Sequence, residues 1–262
     1  MRIIRLQVGM SLSRTFGVNK NNLVIPAKAG IHTMSKLYLI PNSISEDGVH
    51  QLPAYIAGTI KGLRVFFVEE PKSARRLLKQ LDKEFPLQEC QFIELSEHTD
   101  PQALSVCLSL LKKQDAGIIS ESGCPCVADP GADLVLMAQK ANIEIIPLIG
   151  PSSILLALMA SGLNGQNFAF NGYLPKDREG RLSKIKLLEK RSRQDGQTQI
   201  VMDTPYRNQN LLEDLLATCN PQTNLCIALD IGGADQLIKT KTIGEWKERI
   251  PILVKKPALF LI

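Results

Sequence analysis

The chain lacks any apolar run long enough to cross a bilayer. Its best candidate, residues 143–158, is interrupted by Glu144, Pro147, Gly150 and Pro151, whereas a spanning helix needs about 20 predominantly apolar residues in succession. No G-x-x-x-x-G-K-[ST] phosphate loop, G-x-G-x-x-G fingerprint or G-x-S-x-G elbow is present. These absences argue against a nucleoside triphosphate, a dinucleotide or a serine nucleophile of the hydrolase type. The three histidines, His32, His50 and His98, form no ligand pattern with the six scattered cysteines. Only Cys124 and Cys126 are close, and C-x-C lacks the spacing of a paired zinc or redox motif. Free thiols in a reducing cytoplasm are therefore expected, and no structural metal.

Acid is missing from one place in particular. Residues 1–33 carry Arg2, Arg5, Arg14, Lys20 and Lys28 and no carboxylate, which accounts for the whole formal net charge of +5. The rest of the chain is neutral overall, so the basic balance does not mark a basic binding domain. This leading stretch also lacks the uninterrupted apolar core of a secretory signal and any sustained helical or strand period. Residues 1–35 are expected to be a disordered extension or an over-called start, with the folded protein beginning at Met34.

What remains is ordinary for a soluble globular chain, with 44% apolar and 22% charged residues. The patterning alternates strand and helix with short links. Strands are predicted at residues 36–40, 64–68, 91–95, 116–120 and 143–148, and helices over 50–61, 72–83, 100–113 and 132–141. Such alternation predicts a largely parallel sheet covered on both faces. After Gly150 the cadence changes. Strands are predicted at 168–172, 199–202, 224–229, 236–242 and 258–262, with helices over 154–161, 181–193, 208–217 and 243–249. The pair flanking Gly232-Gly233 predicts a hairpin. The expected architecture is thus α/β in two parts, residues 36–149 with a mostly parallel sheet and residues 150–262 with a mixed one.

The stretch Ser120–Gly131, S-E-S-G-C-P-C-V-A-D-P-G, follows a predicted buried strand and leads into a helix. Glycines there open backbone angles closed to other residues, and prolines fix φ and remove donors. The loop is stiff and small, as suits a ligand approaching backbone at the carboxyl end of a strand. Five other features fall at predicted strand ends: Pro41-Asn42, Glu69-Glu70, Gly150-Pro151-Ser152, the run Asp203–Arg207, and Asp230. Each alone reads equally as a tight turn, but strand ends on one edge of a sheet share a cleft. Small, backbone-rich loops with carboxylates suit a ligand with a cationic centre, an amino-acid moiety and a flat base.

Four segments add a resemblance. S-E-S-G-C-P-C-V-A-D-P-G is similar to S-D-A-G-T-P-x-x-S-D-P-G. I-G-P-S-S-I-L-L-A-L-M-A-S-G-L with the later F-N-G-Y-L-P is similar to G-P-S-A…A-L-x-x-S-G-L with F-x-G-F-L-P. D-T-P-Y-R is similar to E-[ST]-P-[HY]-R, and E-E-P-K-S-A-R-R-L-L to E-D-T-R-x-T-x-x-L-L. In order and spacing, residues 36–262 resemble the tetrapyrrole methylase family of S-adenosylmethionine-dependent methyltransferases, and within it the branch that methylates a cytidine ribose 2′-hydroxyl of 16S rRNA. Three departures stand out. The first loop is P-N-S-I-S-E-D-G-V instead of P-T-P-I-G-N-L-x-D-I-T. Glu121 replaces aspartate, and A-L-D-I-G-G replaces A-R-E-L-T-K.

The resemblance implies two α/β domains, an S-adenosyl-L-methionine site between them, a homodimer and a cytoplasmic RNA substrate. It implies Pro41, Ser120, Ser122, Gly123, Pro125, Ser152 and Ala228 around the cofactor, with Tyr173 and Tyr206 bracketing the adenine or the substrate. Glu69, Glu121 and Asp230 are the carboxylates available as catalytic base. Lys176, Arg178, Arg181 and Lys184 begin a basic stripe running to Arg193, which reads either as an RNA contact or as a solvated helix face. The alternatives are methyl transfer to a tetrapyrrole or other small molecule, and a non-catalytic protein that binds S-adenosylmethionine or RNA.

Overall fold

The computed structural model describes residues 35–45 and 48–262. The extension expected over residues 1–35 lies outside them but for its last residue.

Ten strands form two five-stranded sheets. The first contains β1 (Lys36–Ile40), β2 (Val65–Val68), β3 (Gln91–Glu94), β4 (Ala116–Ile119) and β5 (Glu144–Pro147) in the order β3-β2-β4-β1-β5. All of its pairings are parallel. A parallel sheet hides both faces, and so its strands read as apolar runs without alternation. β2, Val-Phe-Phe-Val, shows why: Val65 and Phe67 point into one core while Phe66 and Val68 point into another. The first core is closed by α3 (Pro101–Leu111) and α4 (Ala132–Lys140), through Leu104, Cys107, Leu111, Leu134 and Ala138. The second is closed by α1 (Tyr55–Ile60) and α2 (Pro71–Leu81), through Ile56, Ile60, Leu77 and Leu78.

One helix is shorter than its pattern predicts. The expected helix over residues 50–61 is a 3₁₀ turn at Gly48–Gln51 followed by α1. Pro53 separates them, since its ring disfavours helical angles in the residue before it.

The second sheet holds β6 (Phe168–Tyr173), β7 (Thr198–Asp203), β8 (Asn224–Leu229), β9 (Leu237–Thr242) and β10 (Ala258–Leu261), ordered β6-β7-β10-β8-β9. Only β6 and β7 are parallel, and β8 with β9 forms the predicted hairpin. One face is covered by α6 (Arg178–Asp195), α7 (Asn208–Thr218) and α8 (Ile243–Glu248), around Ile185, Leu188, Leu211, Leu215, Trp246 and Phe260. The other takes α5 (Ser153–Ser161), whose Ala157 and Leu158 pack on Ile200, Cys226, Ala228 and Leu259. Among the described residues no helix is long and apolar enough to cross a membrane.

The basic stripe folds differently from its expected face. Arg181 is buried, not displayed: its guanidinium bonds the Asp214 carboxylate at 2.7 Å and the carbonyls of Pro175 and Lys176. Arg178 shares the same carboxylate at 3.1 Å. Because Asp214 is also buried, this pair fastens α6 to α7 and Arg181 is no RNA contact. Lys176 is exposed and Lys184 half-buried, both without an ion pair.

Candidate functional site

The order of the first sheet dictates where a crevice opens. From β2 the chain moves outward to β3, while from the adjacent β4 it crosses the other way to β5. Ligands in open α/β sheets bind outside the carboxyl ends of strands whose connections diverge like this. The residues at those two ends are Glu69 and Glu121, and the Glu121 amide donates to the Glu69 carboxylate at 3.1 Å. A cleft of about 360 Å³ opens there and reaches across to the ends of β6, β7, β8 and β10. That volume falls in the ordinary range for small-molecule sites.

Four of the six strand-end features give the cleft wall residues of their own, and the other two, Pro41-Asn42 and Gly150-Pro151-Ser152, reach it only through the neighbouring Ile44 and Ser153. Ile44, Glu69, the run Glu121-Ser122 with Val127, Ala128 and Asp129, then Ser153, Asp203 with Thr204, and Asp230 all line it. Tyr173, Met202, Ala228 and Ala258 complete the wall. Of the residues predicted around a cofactor, Ser122, Tyr173 and Ala228 are therefore in the wall. Pro41, Ser120, Gly123, Pro125 and Ser152 stand behind it, shaping loops, and their distinction from the wall is a matter of packing that spacing cannot reveal.

That packing is specific. Asn42 and Gly123 exchange backbone hydrogen bonds at 2.8 and 3.2 Å, the sole antiparallel bridge outside the named strands of the described residues. The buried Asn42 side chain donates as well to the carbonyls of Ser120 and Glu121, at 3.1 and 2.9 Å. Gly123 adopts φ +71° to make the bridge, which a side chain would resist. Pro41 lies against Gly150, where an added Cβ would come within 2.1 Å of the proline ring. Ser152 caps α5 by accepting from the Leu155 amide, and the Cys124 thiol donates to the Pro151 carbonyl at 3.3 Å. The altered first loop, with Asn42 in it, thus clamps the Ser120–Gly131 loop from beneath.

The clamped loop is strained. Cys126 and Ala128 have φ of 67° and 62° without being glycine, a conformation that costs roughly 1–3 kcal/mol each and persists only when the surroundings impose it. Between them and Gly131 stands Asp129, a residue that sequence reasoning read as part of the turn. It is half-buried, and burial first, then the Glu69 charge, pushes its carboxyl up to about 7. The Glu121 charge adds to this, while the Ser120 hydroxyl works in the other direction. Glu121 is itself raised by burial and by Glu69 and Glu70.

The other carboxylates are engaged. Asp230 has φ 48°, accepts from the Asp235 amide at 2.9 Å and lies over Gly233. It holds the turn between β8 and β9. Asp203 is buried against Arg207 and accepts from the Thr204 amide. The predicted tyrosine bracket is not made. Tyr173 lines the cleft, but Tyr206 lies outside its wall, 77% exposed, with the Lys255 ammonium 5.2 Å from its ring centre.

Five carboxylates line the cleft and no lysine or arginine does. Such a field favours a cation and repels phosphate. The described residues bring no three histidine, cysteine, aspartate or glutamate side chains together in the manner of a metal centre. The cysteines are free, and burial pushes Cys126 up to about 11 and Cys219 up to about 12. Thiols held that high are not nucleophiles near neutral pH.

Comparison with known proteins agrees with this geometry. The chain is 26% identical over 226 residues to the ribosomal RNA small subunit methyltransferase I of Vibrio cholerae, covering 86% of this chain and 73% of that one. It is 24% identical to the protein of the same name from Escherichia coli O157:H7, covering 82% and 71%. In fold it is similar to the uroporphyrin III C-methyl transferase of Thermus thermophilus, with a TM-score of 0.50 at 16% identity over 87% of this chain and 96% of that one. The family model of the tetrapyrrole (corrin/porphyrin) methylases matches residues 57–247. With its crevice at the β2–β4 divergence and that match spanning most of the chain, the protein belongs to the tetrapyrrole methylases and is a methyltransferase.

Proposed function

We propose that the protein uses S-adenosylmethionine to methylate RNA, at a ribose 2′-hydroxyl of small-subunit rRNA, in the cytoplasm. The observation that carries the cofactor is the cleft, rich in carboxylate and free of lysine and arginine. Its small wall residues, Ser122, Ala128, Ser153, Ala228 and Ala258, leave room for a flat base, and Glu69 and Glu121 suit a cationic centre. S-adenosylmethionine, when bound, supplies a methyl group on a positively charged sulfur. RNA as acceptor rests on the names of the relatives from Vibrio cholerae and Escherichia coli.

The task left to the chain's own residues is alignment and proton removal. Orientation in a stiff site can supply on the order of 7–11 kcal/mol of a displacement barrier, and the strained, clamped loop is built for rigidity. A ribose hydroxyl also has to lose its proton. Among Glu69, Glu121, Asp129 and Asp230, we assign that role to the Asp129 carboxylate. Glu69 and Asp230 are committed to the amides of Glu121 and Asp235, and Asp129, at about 7, ionises where a general base works best. Lys176 and Lys184, near the end of β6 that supplies Tyr173, remain candidates to hold the RNA.

The exposed apolar side chains of Ile149, Leu155 and Met159 lie on α5 and the link before it. We assign them to the interface of a homodimer, the one occupant that hides the same patch twice. Light scattering should read twice the mass of the chain, and Met159→Glu should halve it; a wild-type reading at one chain's mass contradicts the assignment. Isothermal calorimetry with S-adenosylmethionine tests the cofactor. Binding should tighten as pH rises through about 7, because ionised Asp129 adds to the field that a cation meets. No heat of binding at any pH would end the proposal.

A further inference from the structure

The acid-lined cleft raises a problem for an RNA substrate. A strand that brings its ribose to Glu121 and Asp129 also brings phosphates, which that field repels, so the backbone must be gripped elsewhere. Half of the expected grip has gone into the fold, since Arg181 is buried and Arg178 is paired with Asp214.

A second basic surface lies on the far side of the hairpin. A groove of about 510 Å³ is lined by Leu237, Lys239 and Lys241 of β9, by Trp246 of α8, and by Arg249 with Ile250 and Ile252 after it. It has three cations and no carboxylate in its wall. From Leu237 to Lys256 the chain carries six bases against Glu245 and Glu248. Of those two acids, Glu245 is occupied in the capping box of α8, bonded to the Thr242 amide and hydroxyl. Lys241 rests over the Trp246 ring at 5.0 Å, whereas Lys239 and Arg249 are exposed and have no ion pair. Ile252 is 93% exposed, beside those cations. Phosphate on the cations with sugar and base edges on the apolar side chains is the contact pattern of a nucleic-acid strand.

Both chain segments that form the groove also lead to the cleft. Leu237 pairs with Leu229, the residue before Asp230, so β9 leads away from the cleft by about 14 Å to Lys241. The segment returning from Arg249 through Lys255 and Lys256 runs directly into Pro257 and Ala258, which line the cleft wall. Lys255 lies over Tyr206, two residues beyond the wall residue Thr204.

We propose that this groove between β9 and the segment after α8 is a docking track for the RNA backbone leading to the methyl-transfer cleft. The proposal rests on the RNA reading above and adds the surface that holds the strand. Lys239 and Arg249 contact phosphate, and Ile250 with Ile252 packs against ribose and base edges.

The test uses the full chain and the double variant Lys239→Ala/Arg249→Ala, both positions being exposed and outside the cleft. Fluorescence anisotropy with a short labelled single-stranded RNA should show affinity on the order of tenfold weaker at physiological salt. The slope of log affinity against log salt should be shallower by roughly 2, one for each lost phosphate contact. Calorimetry should give unchanged S-adenosylmethionine binding. If wild type binds RNA and the double variant keeps both affinity and slope, the track is refuted and the RNA reading survives. If wild type binds neither the oligonucleotide nor small ribosomal subunits, the RNA reading falls and takes the track with it. If the variant loses binding to a polyglutamate peptide or to phosphatidylserine vesicles but not to RNA, the groove serves another partner and the proposal is overturned.

Discussion

Asp129→Asn should lower the rate of methyl transfer roughly 10²–10⁴-fold, the range for losing a general base. The wild-type kcat/KM should climb with pH to a plateau above about 7, where Asp129 becomes ionised, and the variant should lose that climb. The same substitution should make the protein more stable, which separates it from simple damage. The folded protein holds this carboxyl at about 7 against an ordinary 3.8, chiefly by burial. A raised acid binds its proton more tightly folded than unfolded, so its contribution to stability is fully present below pH 3.8 and lost as pH rises through 7. Asparagine carries no charge to bury. Its melting temperature should therefore match wild type in acid and exceed it above pH 7. A slow enzyme that is also less stable above pH 7, with its pH profile unchanged, would mean that Asp129 only props the loop.

Arg181→Glu should cost about 3–5 kcal/mol of stability, because it removes one partner of a buried ion pair and places a second acid against Asp214. At 2–4 °C per kcal/mol for a domain of this size, that is a fall in melting temperature of roughly 10 °C. Lys184→Glu, three residues along the same helix and without an ion pair to lose, should stay within about 0.5 kcal/mol, as substitutions away from buried networks do. Urea denaturation of the two variants decides the matter. Equal small effects would return Arg181 to the surface; a large loss for Arg181 alone confirms its place between α6 and α7.

The contrast between those two bases shows where the sequence was legible and where it was not. Strands such as Val65–Val68 announce themselves because a parallel strand buries both faces. The loops after them can be placed at one edge from alternation alone, and four of the six line one cleft while the other two stand directly behind it. Which side chain of a loop faces inward is another question. Ser120 and Asp129 lie in the same twelve-residue motif, yet Ser120 is buried behind the wall and Asp129 stands in it. Positive φ at Cys126 and Ala128 turns the chain between them, and nothing in those residue types demands that.

Long-range partners are equally silent. Asn42 could be read only as a turn residue until Gly123 and the carbonyls of Ser120 and Glu121 appear beside it, some 80 positions away. Arg181 shares its composition and spacing with the solvated bases of α6; only the fold brings Asp214 to it. The groove at β9 is hidden in the sequence for a different reason. Its cations, Lys239, Lys241 and Arg249, are separated by α8 and make no run.

On the proposed reading, a methyl group passes from S-adenosylmethionine to RNA through this cleft. Purified protein, tritiated S-adenosylmethionine and small ribosomal subunits lacking their methyl groups provide the most direct measurement. Label should appear in the rRNA with wild type, and fall roughly 10²–10⁴-fold with Asp129→Asn. Label found only in small molecules such as a tetrapyrrole, or in nothing at all, would rule this transfer out.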